Sequence, residues 1–345
     1  MLKACFWFIG LLAMDAVSET VPEIRKLTLS NGVLEVGVSP DIGGRILHAS
    51  LEGMPNMLAV DQDLINAGKP EVALATRHRG YMGHVVWHGP QSQWWTQQTL
   101  HKQRKVNQAV WPPDPFTVFA TSQILEQNPQ QVSLLSETSP VTGLQVNKQF
   151  TLNSENRNSL VLDVAAVNKR ETQAVDWDIW FNTRVPGDST VFVPIDGEHN
   201  LRFQAAFNAA TQEDIHYSVR DGLLSLDKQP ASTPSKKRVG KLYVYPSQGW
   251  MAAFNNGQLL LIQFDRVAQQ KIHPEQGLVE LYWEYPGHDY SKGIVEMEVH
   301  SALHHLNPNH SMAAQERWTI IRYEGDTNEK SQRAFLKEQL QRLQL

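Results

Sequence analysis

The sequence predicts an all-β protein, a large antiparallel β-sandwich closed by a short C-terminal helix. Three observations predict it. Apolar residues alternate with polar ones through much of the chain, three Asn-Gly or Asp-Gly pairs sit between such runs, and helical periodicity is convincing only near the end. Period-two alternation turns one strand face to a core and the other to solvent. Asn-Gly and Asp-Gly supply the positive φ angles of tight hairpin turns.

Residues 1–18, MLKACFWFIGLLAMDAVS, read as a secretory signal. Lys3 gives the cationic start, Ala4 to Met14 the apolar stretch, and Ala16 and Ser18 the small residues before cleavage after Ser18. An uncleaved anchor is the rival reading, but Asp15 interrupts the apolar run. Export to the periplasm or beyond is therefore expected. Removal would take away Cys5, the only cysteine, and its place early in the apolar stretch argues against lipidation. Residues 19–345 then hold no thiol, which excludes disulfides, thiol catalysis and cysteine-based zinc sites.

The β pattern follows. After Asn31-Gly32, Leu34, Val36 and Val38 alternate with Glu35 and Gly37. Phe150 and Leu152 precede a polar turn at 154–159, and Leu160, Leu162, Val164 and Ala166 alternate after it. Asp221-Gly222 divides HYSVR from LLSL, and Asn256-Gly257 divides WMAAF from QLLLIQF. The Pro- and Ser-rich stretch 228–238 reads as a surface loop, since strands of the same style continue on both sides. One sandwich is expected over 19–325. The helix is expected over 326–345, with Phe335, Leu336, Leu340 and Leu343 on one face.

Composition narrows the function. With 41% hydrophobic residues in 345, the chain can bury a large core, which excludes intrinsic disorder. No apolar run reaches about 18 residues, so no membrane-spanning bundle is expected. A net charge of −5 without a basic stripe makes nucleic acid an unexpected partner.

The sharpest chemistry lies in GLVELYWEYPGHDYSKGIVEMEVHS (277–301). Glu296, Glu298 and His300 share one strand face, and Glu280, Tyr282 and Glu284 share a face on the preceding strand. Because apolar faces must coincide, paired residue numbers should sum to an even value. A sum of 580 would set Glu280 opposite His300 and Tyr282 opposite Glu298, and neighbouring permitted registers keep the same set together. Lining a cleft, such a face would poise a general acid or base; facing water, it would be an ordinary sheet surface.

A second cluster, ATRHRGYMGHVVWHGPQSQWW (75–95) followed by AVWPPDPF (109–116), sets Arg77, His78, Arg79, His84 and His88 beside Trp87, Trp94 and Trp95. Flat aromatic rings beside polar groups suit sugars, which stack C–H faces and hydrogen-bond through hydroxyls. The alternative places Trp87 and Trp111 in the core. His84 and His88, or the His300, His304, His305 and His310 group, invite a metal. Strand residues four apart lie roughly 13 Å from each other, too far to grip one ion, so no metal is expected. In DWDIWFNTRVPGD (176–188), Asp176, Asp178, Trp180 and Asn182 share a face, with Asn182, Thr183 and Arg184 near the strand's end. No GxSxG elbow supports a serine hydrolase.

LTLSNGVLEVGVSPDIGGRILHASLEGMPNML (27–58) resembles the opening hairpin of galactose-mutarotase-like proteins, with its P-x-x-GGR-I turn. GHVVWHGPQSQW, WPPDP, TGLQVNKQFTL and VEMEVHSALHHLNPNHSMAAQERW resemble stretches of a bacterial branch of unknown function. The resemblance spans most of 27–323. It implies a β-supersandwich whose concave face binds carbohydrate. In the enzymes of that group a late-strand glutamate takes the anomeric hydroxyl proton and a histidine protonates the ring oxygen. Glu298 matches the glutamate, with Glu296 as the alternative. The histidine position appears as Asn182, which can hold a hydroxyl but not serve as the acid, leaving His84 or His88 for that role.

Two functions are thus expected. One is an exported carbohydrate-binding protein that contacts a mono- or oligosaccharide through Arg77, Trp87, Trp94, Asn182, Arg184 and Glu296. The other is an aldose mutarotase or epimerase with Glu298 as base and His84 or His88 as acid. Neither needs a cofactor.

Overall fold

The computed structural model describes residues 23–345, so the signal reading of 1–18 lies outside the described residues. In chain order the first strands are β1 (Leu27–Ser30), β2 (Leu34–Ser39), β3 (Arg45–Leu51), β4 (His84–Gly89), β5 (Gln123–Asn128), β6 (Gln131–Leu135) and β7 (Leu144–Leu152). Next come β8 (Ser159–Asn168), β9 (Val175–Pro186), β10 (Thr190–Pro194), β11 (Leu201–Gln204), β12 (Gln212–Asp214), β13 (His216–Arg220) and β14 (Leu223–Asp227). The last are β15 (Lys237–Val244), β16 (Trp250–Asn255), β17 (Gln258–Phe264), β18 (Val279–Pro286), β19 (Ile294–His300), β20 (His304–Leu306) and β21 (Ser311–Arg322). Three short helices, α1 (Gln62–Asn66), α2 (Lys102–Val106) and α3 (Pro115–Val118), precede the long α4 (Glu329–Leu343). These short helices are additions to the sequence expectation. They are too brief to show a helical period.

The strands form two large sheets, as the alternation predicts. The first follows the order β1-β2-β3-β4-β9-β19-β18-β15-β11, and the second β13-β14-β10-β16-β17-β21-β8-β7-β6-β5. Pairing is antiparallel apart from β12, which runs parallel to β15. Val295, Met297 and Val299 of β19 and Trp318 and Ile320 of β21 are buried in one cluster between the sheets. Residues 228–236 carry the chain from the second sheet to the first.

The hairpin signals are met in two ways. Asp221-Gly222 and Asn256-Gly257 both have positive φ at each centre, the type I′ requirement. At Asn31-Gly32 only Gly32 does, because Asn31 Oδ1 instead accepts the Val33 and Leu34 amides in a longer connection.

α4 starts at Asn328, whose side chain accepts the Ser331 amide at 2.9 Å. It lays Leu336 and Leu340, with Phe335 and Leu343 beside them, over Phe192, Trp250, Phe254 and Tyr323. The helix thereby covers the outer face of the second sheet. Among the described residues no such helix covers the outer face of the first sheet, and the site lies there.

Candidate functional site

Register decides which side chains meet. β18 and β19 pair with Glu280 opposite Glu298 and Tyr282 opposite Glu296. The observed sum is 578 rather than 580. The slip of two residues lengthens the connection: the last pair is Glu284–Ile294, while Tyr285 and Pro286 continue along β15. The shared face survives, since a shift of two leaves side-chain direction unchanged. β19 also pairs with β9, placing Glu298 opposite Asn182, Glu296 opposite Arg184 and His300 opposite Trp180. β4 adds Trp87 opposite Trp180. β15 adds Lys241 opposite Tyr282 and Tyr243 opposite Glu280. β11 then brings Arg202 opposite Tyr243 and Gln204 opposite Lys241.

Part of this set floors a cavity of about 460 Å³, within the range typical of small-molecule sites. Trp87, Trp180, Arg184, Lys241, Tyr243, Tyr282, Glu296 and Glu298 supply the sheet side. Arg45, His78, Arg79, Met82, Trp111 and Phe207 are among the residues supplying the rest. Trp111 is 51% exposed, so the core alternative does not hold for it; Trp87 is buried in the core cluster yet also lines the cavity.

Beneath the cavity lies a tight charge cluster. Lys241 Nζ is 2.5 Å from Glu280 and 2.7 Å from Glu298. Asn182 Nδ2 donates to Glu298 at 2.9 Å and to Glu296 at 3.2 Å, and Arg184 Nε donates to Glu296 at 2.8 Å. His300 sits between Asp178 at 3.4 Å and Glu280 at 3.3 Å. Gly89 makes room for this end of the cluster. Its amide donates to Asp178 at 2.9 Å, and an added Cβ there would collide with the Asp178 carboxylate and the Gln276 amide.

Four carboxyls thus face three cations, so one carboxyl lacks a cation of its own. Burial works against His300's charge, yet Glu280 and Asp178 on either side raise its pKa to about 10. Burial likewise opposes ionisation of Glu280, but Lys241 and His300 hold it below the usual carboxylate range. Glu296 resists burial in the same way, and Arg184 brings it down to about 2. Glu298 is the group left over. Burial pushes it well above the usual range, Lys241 opposes this, and Glu296 and Glu280 add to it. Of the two neighbours at the cavity wall, Glu298 is thus the one that holds a proton more readily and Glu296 the one held ionised.

Glu280, Glu298 and His300 also bring three ligand atoms within 4.8 Å of one another, a spacing a metal could bridge. The Lys241 ammonium already sits against both glutamates, and a second cation there would be repelled.

Four of the sequence-predicted residues line the cavity: Trp87, Arg184, Glu296 and Glu298. Asn182 lies just under it, fully buried, and positions both glutamates. The other four do not reach it. His84 and His88 point between the sheets, because β4 turns its even-numbered residues inward and Trp87 outward. His84 contacts Thr183 Oγ1 at 2.9 Å and lies 4.0 Å from Glu316 of the opposite sheet. Burial lowers the pKa of both histidines, to about 3 for His88, so neither can supply a proton to the cavity. Arg77 is exposed outside the cavity, and its neighbours His78 and Arg79 line it instead. Trp94 stacks behind Trp180 and donates its Nε1 to the His88 carbonyl at 2.7 Å.

Sequence reasoning missed Lys241, Arg45 and Tyr243. Only Arg45 had a sequence signal, as the last residue of the GGR turn.

Residues 24–321 match a family described as "Domain of unknown function (DUF4380)", and the chain belongs to that family. No curated protein matches it. Among solved structures it is similar to a candidate aldose 1-epimerase of Escherichia coli K12, at 13% identity and TM-score 0.49, covering 87% of this chain and 99% of that one. A GalM/aldose epimerase homologue from C. elegans is similar at 9% identity and TM-score 0.46, covering 87% and 100%. A galactose 1-epimerase from Lactobacillus acidophilus NCFM is similar at 13% identity and TM-score 0.43, covering 86% and 94%.

Proposed function

We propose that this protein binds a carbohydrate in the cavity over the first sheet. One observation carries the reading: aromatic rings and charged, hydrogen-bonding side chains line the same space. Trp87, Trp111, Trp180, Tyr243 and Tyr282 present ring surface. Arg184, Lys241, Glu296 and Glu298 add hydrogen-bonding groups on the same wall. A sugar offers C–H faces to the rings and hydroxyls to the polar groups. Export of the chain after cleavage at Ser18 belongs to the same proposal, and intact-mass analysis of the mature protein tests it.

The test of binding is a thermal-shift screen against mono- and oligosaccharides. A ligand at a hundred times its dissociation constant stabilises the folded state by about 2.7 kcal/mol. A panel that leaves the melting temperature unchanged throughout overturns the reading.

The pairing of Glu298 and Glu296 favours a second reading, an aldose isomerase. Glu296 takes the proton from the anomeric hydroxyl while Glu298 gives its proton to the ring oxygen. The C1–O5 bond breaks, and ring closure on the other face returns both protons. This reverses the role expected for Glu298, which acts here as the acid. NMR exchange between α- and β-aldose anomers tests it: wild type should accelerate exchange, and Glu298→Gln and Glu296→Gln should each abolish the effect. Exchange at the uncatalysed rate in wild type rejects the isomerase and leaves binding standing.

A further inference from the structure

Arg45 sits at the start of β3 with 1% of its surface exposed and lines the cavity. Its Nη1 donates to the Met82 carbonyl at 2.6 Å and its Nη2 to the Val118 carbonyl at 3.4 Å, but Nε has no partner among the described residues. Among the described residues Arg45 makes no ion pair, and neither does Arg79 on the same wall. His78, also lining the cavity, holds a buried Nδ1 without a partner among the described residues. Arg184 gives its Nε to Glu296, and its two Nη nitrogens make no bond to the described residues. A buried guanidinium without an anion is costly, and here three guanidiniums share one cavity wall with a single committed carboxylate. The carboxylate-rich wall is close to neutral by its own pairing, so it offers this side no relief.

We infer that this cationic wall is an anion subsite, and that the carbohydrate carries an oxyanion, a carboxylate or a phosphate or sulfate ester, held by Arg45 with Arg79 and Arg184. A planar oxyanion matches the fork of a guanidinium, with parallel N–H donors aimed at two oxygens. The neighbouring charges agree. Burial and then Arg184 bring Arg45 down to about 9, and burial with Arg184 and Arg45 brings His78 down to about 3. An anion in this position relieves both strains.

The inference rests on the carbohydrate reading and sharpens it. The test measures dissociation constants by calorimetry for matched pairs: glucuronate and glucose, galacturonate and galactose, glucose 6-phosphate and glucose, glucose 6-sulfate and glucose. At least one acidic member should bind about tenfold or more tightly than its neutral partner, and the pair that does so identifies the oxyanion. Raising sodium chloride from low to high concentration should weaken that member selectively. Arg45→Gln and Arg79→Gln should each shrink the acidic-to-neutral ratio severalfold. Arg79 is partly exposed, so its variant keeps the test usable if Arg45→Gln does not fold. Equal affinity within every pair, or a preference that survives both substitutions, overturns the anion subsite while leaving carbohydrate binding intact. Absence of binding by any sugar overturns both.

Discussion

Replacing Lys241 by methionine removes the ammonium between Glu280 and Glu298 while keeping most of the stem that packs beneath the cavity. Two ion pairs are lost, at 2.5 and 2.7 Å. Breaking a buried pair by removing one partner costs about 3–5 kcal/mol. Here the lower end applies, because Glu298 keeps the Asn182 amide at 2.9 Å and Glu280 keeps His300 at 3.3 Å. An unfolding entropy of about 2.1 cal/mol/K per residue gives roughly 0.7 kcal/mol/K for 345 residues. A loss of about 3 kcal/mol therefore lowers Tm by about 4 °C. The loss depends on pH in a defined direction. Glu280 is held below its usual range, so its contribution is present above the unfolded carboxylate pKa of about 4.3 and disappears as pH falls through the folded value. Calorimetric melts should show the gap between wild type and Lys241→Met at pH 7.5, persisting to about pH 4 and narrowing only below it. Adding Glu280→Gln should restore part of the lost stability at pH 7.5. A variant within 1 °C of wild type at pH 7.5, or a gap that widens on acidification, would refute the charge accounting.

Two further outcomes follow from buried polar groups away from the cavity. Burial raises Glu316 to about 8, with the Trp318 indole as its donor. The folded protein then keeps a proton that the unfolded chain releases between about pH 4.5 and 8, so stability falls as pH rises through that window. Glu316→Gln should match wild type near pH 4.5 and exceed it by on the order of 3 kcal/mol at pH 7, measured by urea unfolding. Trp94→Phe removes the bond to the His88 carbonyl and should cost about 1 kcal/mol of stability. Because Trp94 lies behind Trp180, calorimetry on the same variant should show a sugar affinity within about threefold of wild type.

The face shared by Glu280, Tyr282, Glu296, Glu298 and His300 was legible in the sequence because alternation fixes side-chain direction without knowing the partner strand. The same property concealed the register, since a slip of two residues leaves every face unchanged. HVVWHG was harder to orient. Its residues 84–89 are all buried, so hydrophobicity could not tell whether Trp87 or the two histidines turned toward the cavity. Lys241 in GKLYV resembled an ordinary outward lysine. Its meaning depends on β15 lying beside β18, a contact between segments about forty residues apart. Arg45 drew no functional reading from the turn that contains it, because its missing counter-charge becomes visible only once Arg79 and Arg184 share its wall.

The occupancy of this cavity by carbohydrate is tested most directly at Trp111, which lines it while remaining half exposed, so its removal spares the fold. The measurement is a calorimetric titration of the best-responding sugar into wild type and Trp111→Ala, with Tm recorded for both. The account predicts unchanged Tm and an affinity reduced about tenfold, equivalent to about 1.4 kcal/mol. The same dissociation constant for both proteins would contradict it.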